Sequence, residues 1–247
     1  MPEPTTENSA EVAEAPDLED VVTEDQAPVD NLFSEKEQRL LTETLYSSWA
    51  GPGEDRLFLA SSNVGIFDQV KKPPVVPDVF LSLDVQVAQD WMKKEHRSYF
   101  LWEFGKCPEL VLEIVSNREG EEEGEKKRRY ARMRVLYYVI HDPLRQIASE
   151  LLTIYRLEGS RYVRQNEARF PDMGLGLTLW DGVFEGKRAT WLRWVDERGV
   201  LIPTGRERAD QERERADKER ERADKERERA DQLADLLRRS GIDPDQA

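Results

Sequence analysis

Glu109-Leu110-Val111-Leu112-Glu113-Ile114-Val115 is the stretch that decides the fold. It is a short, nearly continuous aliphatic run. Leu110, Leu112 and Ile114 point to one side, and Val111, Glu113 and Val115 to the other. Both sides are largely apolar, which marks a central strand covered on both faces. The carboxylate of Glu113 then needs an explanation, because burying it unpaired would cost several kcal/mol. It has to be protonated, paired with a base, or bound to a cation.

Further strands are expected on either side of this run. Upstream, Leu57-Phe58-Leu59, Val64 to Phe67, Val75 to Leu83 and residues 99–104 read as strands. Downstream, Leu136 to Ile140 is a strand stopped by Asp142-Pro143. Residues 151–165 form a hairpin turning at Glu158-Gly159-Ser160. Two helices interrupt the strands. The first starts at Ser34, whose side chain can cap it, with Glu37 three residues on completing a capping box. Leu40, Leu41, Leu45 and Trp49 follow at helical spacing, and Gly51-Pro52-Gly53 ends it. The second lies in the charged stretch 117–134, a loop and then a helix from Glu121 to Arg134. Helix, strands, helix, strand and hairpin in this order predict a mixed α/β or α+β domain built on one sheet.

Charge divides the chain into three. The 247 residues carry 37 Lys and Arg against 51 Asp and Glu, a net of −14. Residues 1–35 hold eleven acids and no Lys or Arg, and are read as a disordered acidic tail. Residues 205–247 repeat ERADQER and ERADKER with a period of seven. Ala209, Ala216, Ala223 and Ala230 share one stripe, while Glu212, Glu219 and Glu226 occupy the position three further on. That pattern predicts a long charged helix laced by Glu214–Lys218 and Glu221–Lys225 pairs. The alternative is a weak coiled coil with Leu233, Leu236 and Leu237 as its seam. Between the ends, residues 36–204 carry 25 bases and 26 acids, the balance of an ordinary globular domain.

Several classes are excluded. No apolar run is long enough to span a membrane. Cys107 is the only cysteine and His96 and His141 the only histidines, so neither an intrachain disulfide nor a multi-histidine or cysteine-based metal centre is expected. The start of the chain has none of the basic and apolar regions of a secretory leader, which points to the cytoplasm.

The candidate chemistry lies in three pieces. Asp78 follows Pro77 at the head of an apolar strand, Glu113 sits on the central strand, and Lys126 is four residues before Tyr130 on the inward face of the basic helix. Taken singly, these are a turn residue, an ion-pair member and a surface cation. Together, two acids on neighbouring strands and one inward lysine form a divalent-metal hydrolysis site. Oxygen ligands suit Mg²⁺, the cation supports attack on phosphorus, and the lysine shares the charge that develops.

Pro77-Asp78, Glu113-Ile114-Val115-Ser116, Lys126-x-x-x-Tyr130 and Tyr137-Tyr138-Val139-Ile140-His141-Asp142-Pro143 together resemble the Uma-type putative restriction endonuclease family of the PD-(D/E)XK nuclease superfamily. The resemblance covers residues 36–204, and the heptad tail ending in Gly241-Ile242-Asp243-Pro244-Asp245 resembles the extension on many members. It implies a restriction-endonuclease-like core, a mixed central sheet flanked by helices. It also implies a metal-dependent endonuclease acting on DNA, with Mg²⁺ or Mn²⁺ as cofactor and a homodimer as its working form. Asp78 matches the first metal ligand and Glu113 the second, with the backbone carbonyl of Ile114 as a third. Val115 stands where the superfamily places its lysine. Lys126 matches the lysine that this family supplies from the following helix, Lys127 being the neighbouring alternative. Tyr130 matches an aromatic packing position. The rival reading is a catalytically silent nuclease-fold module used for binding or assembly.

Overall fold

The structure is a computed structural model and describes residues 31–51, 53, 57–116 and 124–240. Residues 1–30 of the expected acidic tail, Pro52, the predicted helix start Glu121 with Glu122 and Glu123, and the terminal stretch 241–247 lie outside the described residues.

Four α-helices and eleven strands follow along the described chain. They are α1 (Leu32–Ser48), β1 (Phe58–Ser62), β2 (Ile66–Phe67), β3 (Val79–Leu83), β4 (Tyr99–Phe100), α2 (Leu101–Phe104), β5 (Leu110–Ile114) and α3 (Glu125–Met133). Then come β6 (Tyr137–His141), β7 (Leu152–Glu158), β8 (Arg161–Gln165), β9 (Arg169–Phe170), β10 (Leu175–Phe184), β11 (Lys187–Asp196) and α4 (Gly205–Arg239). The chain divides into two compact units, residues 1–202 and 203–247.

The first unit is built on a six-stranded mixed sheet in the order β1-β3-β5-β6-β7-β8. β5 and β6 are parallel and every other neighbouring pair is antiparallel. A parallel pair needs a crossover, and α3 lies within that connection. All five residues of β5 are buried, as its two apolar faces required. Leu110, Leu112 and Ile114 pack with Leu41 and Leu45 of α1 and with Leu177, Leu192 and Trp194 of the last hairpin. Val111 and Val115 pack on the other face with Tyr130 and Met133 of α3.

One sheet was expected, and the described residues form three. β11-β10-β9 form a second, and β2 and β4 form a short parallel pair. β11 buries Trp191 through Val195 consecutively, so no alternation marks it as a strand. Three element boundaries also differ from the expected ones. Asn31, not Ser34, caps α1: its Oδ1 accepts the Ser34 N–H at 2.9 Å, and Glu37 turns inward to full burial. The run 75–83 is a continuous strand only from Val79: Val75 makes an isolated antiparallel bridge with Ile66, and Pro77 has no N–H to give a ladder. Residues 101–104 make one helical turn closed by Gly105 at φ 70°. The hairpin 151–165 turns as expected, with Gly159 supplying φ 59°.

The second unit is dominated by α4. Thr204 Oγ1 accepts the Glu207 N–H at 3.2 Å while Glu207 Oε2 accepts the Thr204 N–H at 2.8 Å, a reciprocal cap. Lys218 and Lys225 donate to Glu214 and Glu221 at 2.5 and 2.6 Å, the pairs expected from the repeat. Leu233 and Leu236 are exposed. Among the described residues no helix is long and apolar enough to cross a membrane.

Candidate active site

The ladder between β3 and β5 ends at Val79 opposite Leu112. Ile114 lies beyond it, and its N–H has no strand partner on that side. Asp78, one residue ahead of β3, supplies the acceptor: Ile114 N donates to Asp78 Oδ2 at 2.6 Å. The N–H and C=O of one strand residue leave on the same side, so the Ile114 carbonyl opens beside Asp78.

Glu113 projects from the opposite face of β5, toward α3, and is 1% exposed. Lys126 and Tyr130 are one helical turn apart and reach it together. Lys126 Nζ donates to Glu113 Oε2 at 2.9 Å and Tyr130 Oη donates to Oε1 at 2.7 Å. Burial pushes the Glu113 carboxyl up to about 8; the Lys126 charge pulls it back, and the charge on nearby Asp78 pushes it up again. Burial, and then the charge of Glu113, hold the Tyr130 phenol far above its ordinary range, so it stays a donor.

The neighbouring basic residues have other attachments. Lys127 Nζ lies 3.4 Å from the centroid of the Tyr155 ring, so of the two adjacent lysines it is Lys126 that meets Glu113. Arg129 donates to Asp68 Oδ1 at 2.5 Å and to the Pro73 carbonyl at 2.6 Å. Arg128 and Arg132 are exposed. The Asp142 carboxylate accepts the N–H groups of Gln146, Ile147 and Ala148 at 2.8, 2.8 and 3.0 Å, so this part of the motif anchors a loop.

Three contributors were not expected from the sequence. Gln38 of α1 is 4% exposed, and its Nε2 donates to Asp78 Oδ1 at 2.7 Å. Asn63 donates from Nδ2 to Gln38 Oε1 at 2.8 Å. Tyr130 was expected to pack, and it does, but it also binds Glu113. Gln38 carried a readable signal, being a polar residue three and seven positions before Leu41 and Leu45 on the apolar stripe of its helix. Asn63 carried none.

The donor chemistry fits a hard divalent cation. Asp78, Glu113 and the Ile114 carbonyl offer oxygen only. Glu113 is a fully buried carboxyl paired with a lysine whose side chain is 31% exposed. Among the described residues no three or more His, Cys, Asp or Glu side chains cluster as a metal site, so these two carboxylates have no third acidic, histidine or cysteine partner there.

A protein-family model described as Uma2: Putative restriction endonuclease matches residues 20–179, from ahead of α1 into β10 and well over half of the chain. No curated protein matches it.

Proposed function

Since the chain belongs to the Uma2 putative restriction endonuclease family, within the PD-(D/E)XK superfamily, we propose that Asp78, Glu113 and Lys126 form a metal-dependent site that hydrolyses DNA phosphodiester bonds. The observation that carries this reading is the meeting of three separate pieces of chain. A lysine from the crossover helix binds the Glu113 carboxylate of the buried β5, and the Asp78 carboxylate ahead of β3 binds the N–H of the next residue, Ile114, near enough for its charge to act on Glu113.

Asp78, Glu113 and the Ile114 carbonyl would hold Mg²⁺ or Mn²⁺. When bound, the cation supplies Lewis-acid stabilisation of the charge developing on phosphorus and acidifies the attacking water. The protein's part is positioning. The Ile114 N–H and the Gln38 amide each hold one oxygen of Asp78. Tyr130 and Lys126 each hold one oxygen of Glu113. The partly exposed Lys126 ammonium can also share the negative charge of a phosphate at the rim. A homodimer, with one site for each strand of a duplex, belongs to the same reading; sedimentation of the full chain at several concentrations tests it.

The experiment is cleavage of supercoiled and linear DNA with Mg²⁺, Mn²⁺ or EDTA, for the wild type and for Asp78→Ala, Glu113→Ala and Lys126→Ala. Metal-dependent nicking lost in all three variants is the expected result. A second reading, the silent binding module, draws on Val115: it stands where the superfamily has its lysine, and it is 1% exposed among apolar neighbours. Neither cleavage nor metal binding by the wild type would favour that module.

A further inference from the structure

Asp78 lies at the end of a short chain of amides whose polarity is fixed from one side. Its carboxylate offers only acceptors, so Gln38 has to present Nε2 to it, and the 2.7 Å contact to Oδ1 is a donated hydrogen bond. That choice turns Gln38 Oε1 to Asn63, whose Nδ2 donates to it at 2.8 Å while its Oδ1 accepts a longer hydrogen bond from Gln38 Nε2 at 3.4 Å. Asn63 holds this place because its backbone takes the left-handed conformation, φ 54°, at the end of β1. Its own N–H also donates to the Asp78 carbonyl at 3.3 Å. Asparagine is one of the few residues other than glycine that tolerates such a φ. Asn63 therefore grips Asp78 twice, at the backbone and through the Gln38 amide.

We propose that Asn63 is a positioning residue for the metal-ligand acid: by donating to Gln38 Oε1 it keeps the Gln38 amide turned nitrogen-first toward Asp78, and so fixes the carboxylate that receives the cation. The proposal rests on the metal-site reading given above. The other side of Asp78 is held by a backbone N–H that no side-chain substitution removes. Its Oδ1 accepts from an amide that could rotate by half a turn. Rotation would bring the Gln38 carbonyl oxygen against the carboxylate, two acceptors face to face. Without the Asn63 amide, Gln38 is freer to turn, and Asp78 loses a fixed partner in one of two orientations.

The test uses the full chain with two readouts. The first is Mn²⁺ affinity, followed by electron paramagnetic resonance of the free ion. Asn63→Gly keeps the left-handed backbone and the N–H to Asp78 and deletes only the amide. It is expected to weaken Mn²⁺ binding about tenfold, the lower end of what loss of support behind a metal ligand costs. In a Gln38→Met background, which has no amide to orient, the same change is expected to cost less than about twofold. An Asn63→Gly affinity within about twofold of wild type, or an undiminished effect in the Gln38→Met background, overturns the proposal. The second readout is the Gln38 side-chain NH₂ pair in ¹H–¹⁵N spectra without metal. Its two protons are expected to be well separated in the wild type and to collapse toward the solvent-amide position in Asn63→Gly; an unchanged pair overturns the proposal. Should the wild type bind no Mn²⁺, the nuclease reading falls, and the NH₂ pair alone decides whether Asn63 orients Gln38.

Discussion

Two buried glutamates lie on either side of the six-stranded sheet. Glu37 belongs to α1, packed over one face; Glu113 belongs to β5 and points from the other. They are 0% and 1% exposed, and burial pushes each carboxyl up to about 8. Their partners differ. Glu37 Oε1 accepts the Leu192 N–H of β11, the edge strand of its sheet, at 2.9 Å, and its Oε2 has no hydrogen-bond partner among the described residues. It works as a neutral acid that covers a sheet edge. Glu113 has a cation on one oxygen, a phenol on the other and a second carboxylate close enough to raise its pKa. Burial and a raised pKa are thus common to both, and what sets the proposed site acid apart from the structural one is the set of groups brought to it.

The largest expected effect tests that separation in activity. Glu113→Gln removes the charge and is expected to lower metal-dependent DNA cleavage about 10³-fold, the scale of losing a principal charged group from a reaction centre. Glu37→Gln keeps an acceptor for Leu192 and is expected to stay within about threefold of the wild type. Plasmid nicking by both variants, side by side, checks it. Equal losses would erase the distinction drawn from their partners.

The next effect is in stability, with its sign set by linkage. An acid that ionises at 4.5 when unfolded and at about 8 when folded keeps its proton in the native state while the unfolded chain loses it. The native state then binds more protons between those limits, and stability falls as pH rises from 4.5 to about 8. Below that window both states are protonated; above it both are ionised and the loss is complete. Glu37→Gln removes this slope. Its stability relative to wild type should rise from pH 5 to pH 8 by about 2–4 kcal/mol, read from urea unfolding at the two values. A difference that stays constant with pH would mean that Glu37 ionises normally in the folded protein.

This pair of glutamates also shows what was legible in the sequence. Glu113 could be found because a carboxylate interrupts a strand apolar on both faces. Glu37 was read as part of a capping box, since Ser34 and Glu37 have its spacing. The competing signal was its position four and eight residues before Leu41 and Leu45, on the stripe that turns inward. Local capping chemistry and long-range burial both fit those residues, and Asn31 took the cap. Asp78 and Lys126 could be named because Asp78 heads an apolar strand and Lys126 shares the inward face of its helix with Tyr130, whose own bond to Glu113 was not expected. Asn63 could not, because it meets Gln38 across 25 residues of chain and no periodicity records such a meeting. The second sheet was missed for a related reason: β11 is covered on both faces and shows no alternation.

A smaller effect sharpens the comparison at the level of one hydrogen bond. Glu37 already keeps one carboxyl oxygen without a hydrogen-bond partner among the described residues. Tyr130→Phe would bring Glu113 to the same condition by deleting the donor at 2.7 Å while leaving the ring in its apolar cluster. The expected cost is about 1–2 kcal/mol in urea unfolding near neutral pH, with cleavage reduced less than by Glu113→Gln. Had Tyr130 served only to pack, phenylalanine would be neutral.

The smallest effect concerns the two adjacent lysines, and it decides whether the α3 face was read in the right register. Lys126 donates to Glu113 at 2.9 Å, whereas Lys127 lies over the Tyr155 ring. A helix advances about 100° per residue, so the two ammonium groups leave in different directions and only one can serve the carboxylate. Lys127→Met keeps an apolar chain of similar length over the ring and removes the cation–π attraction, for an expected loss of about 0.5–1 kcal/mol. Its cleavage should remain within about twofold of wild type, while Lys126→Met falls by about 10²-fold or more. The reverse order, with Lys127→Met the damaging change, would move the site lysine one position along the helix. It would leave the Lys126–Glu113 ion pair as structural as the contact between Glu37 and Leu192.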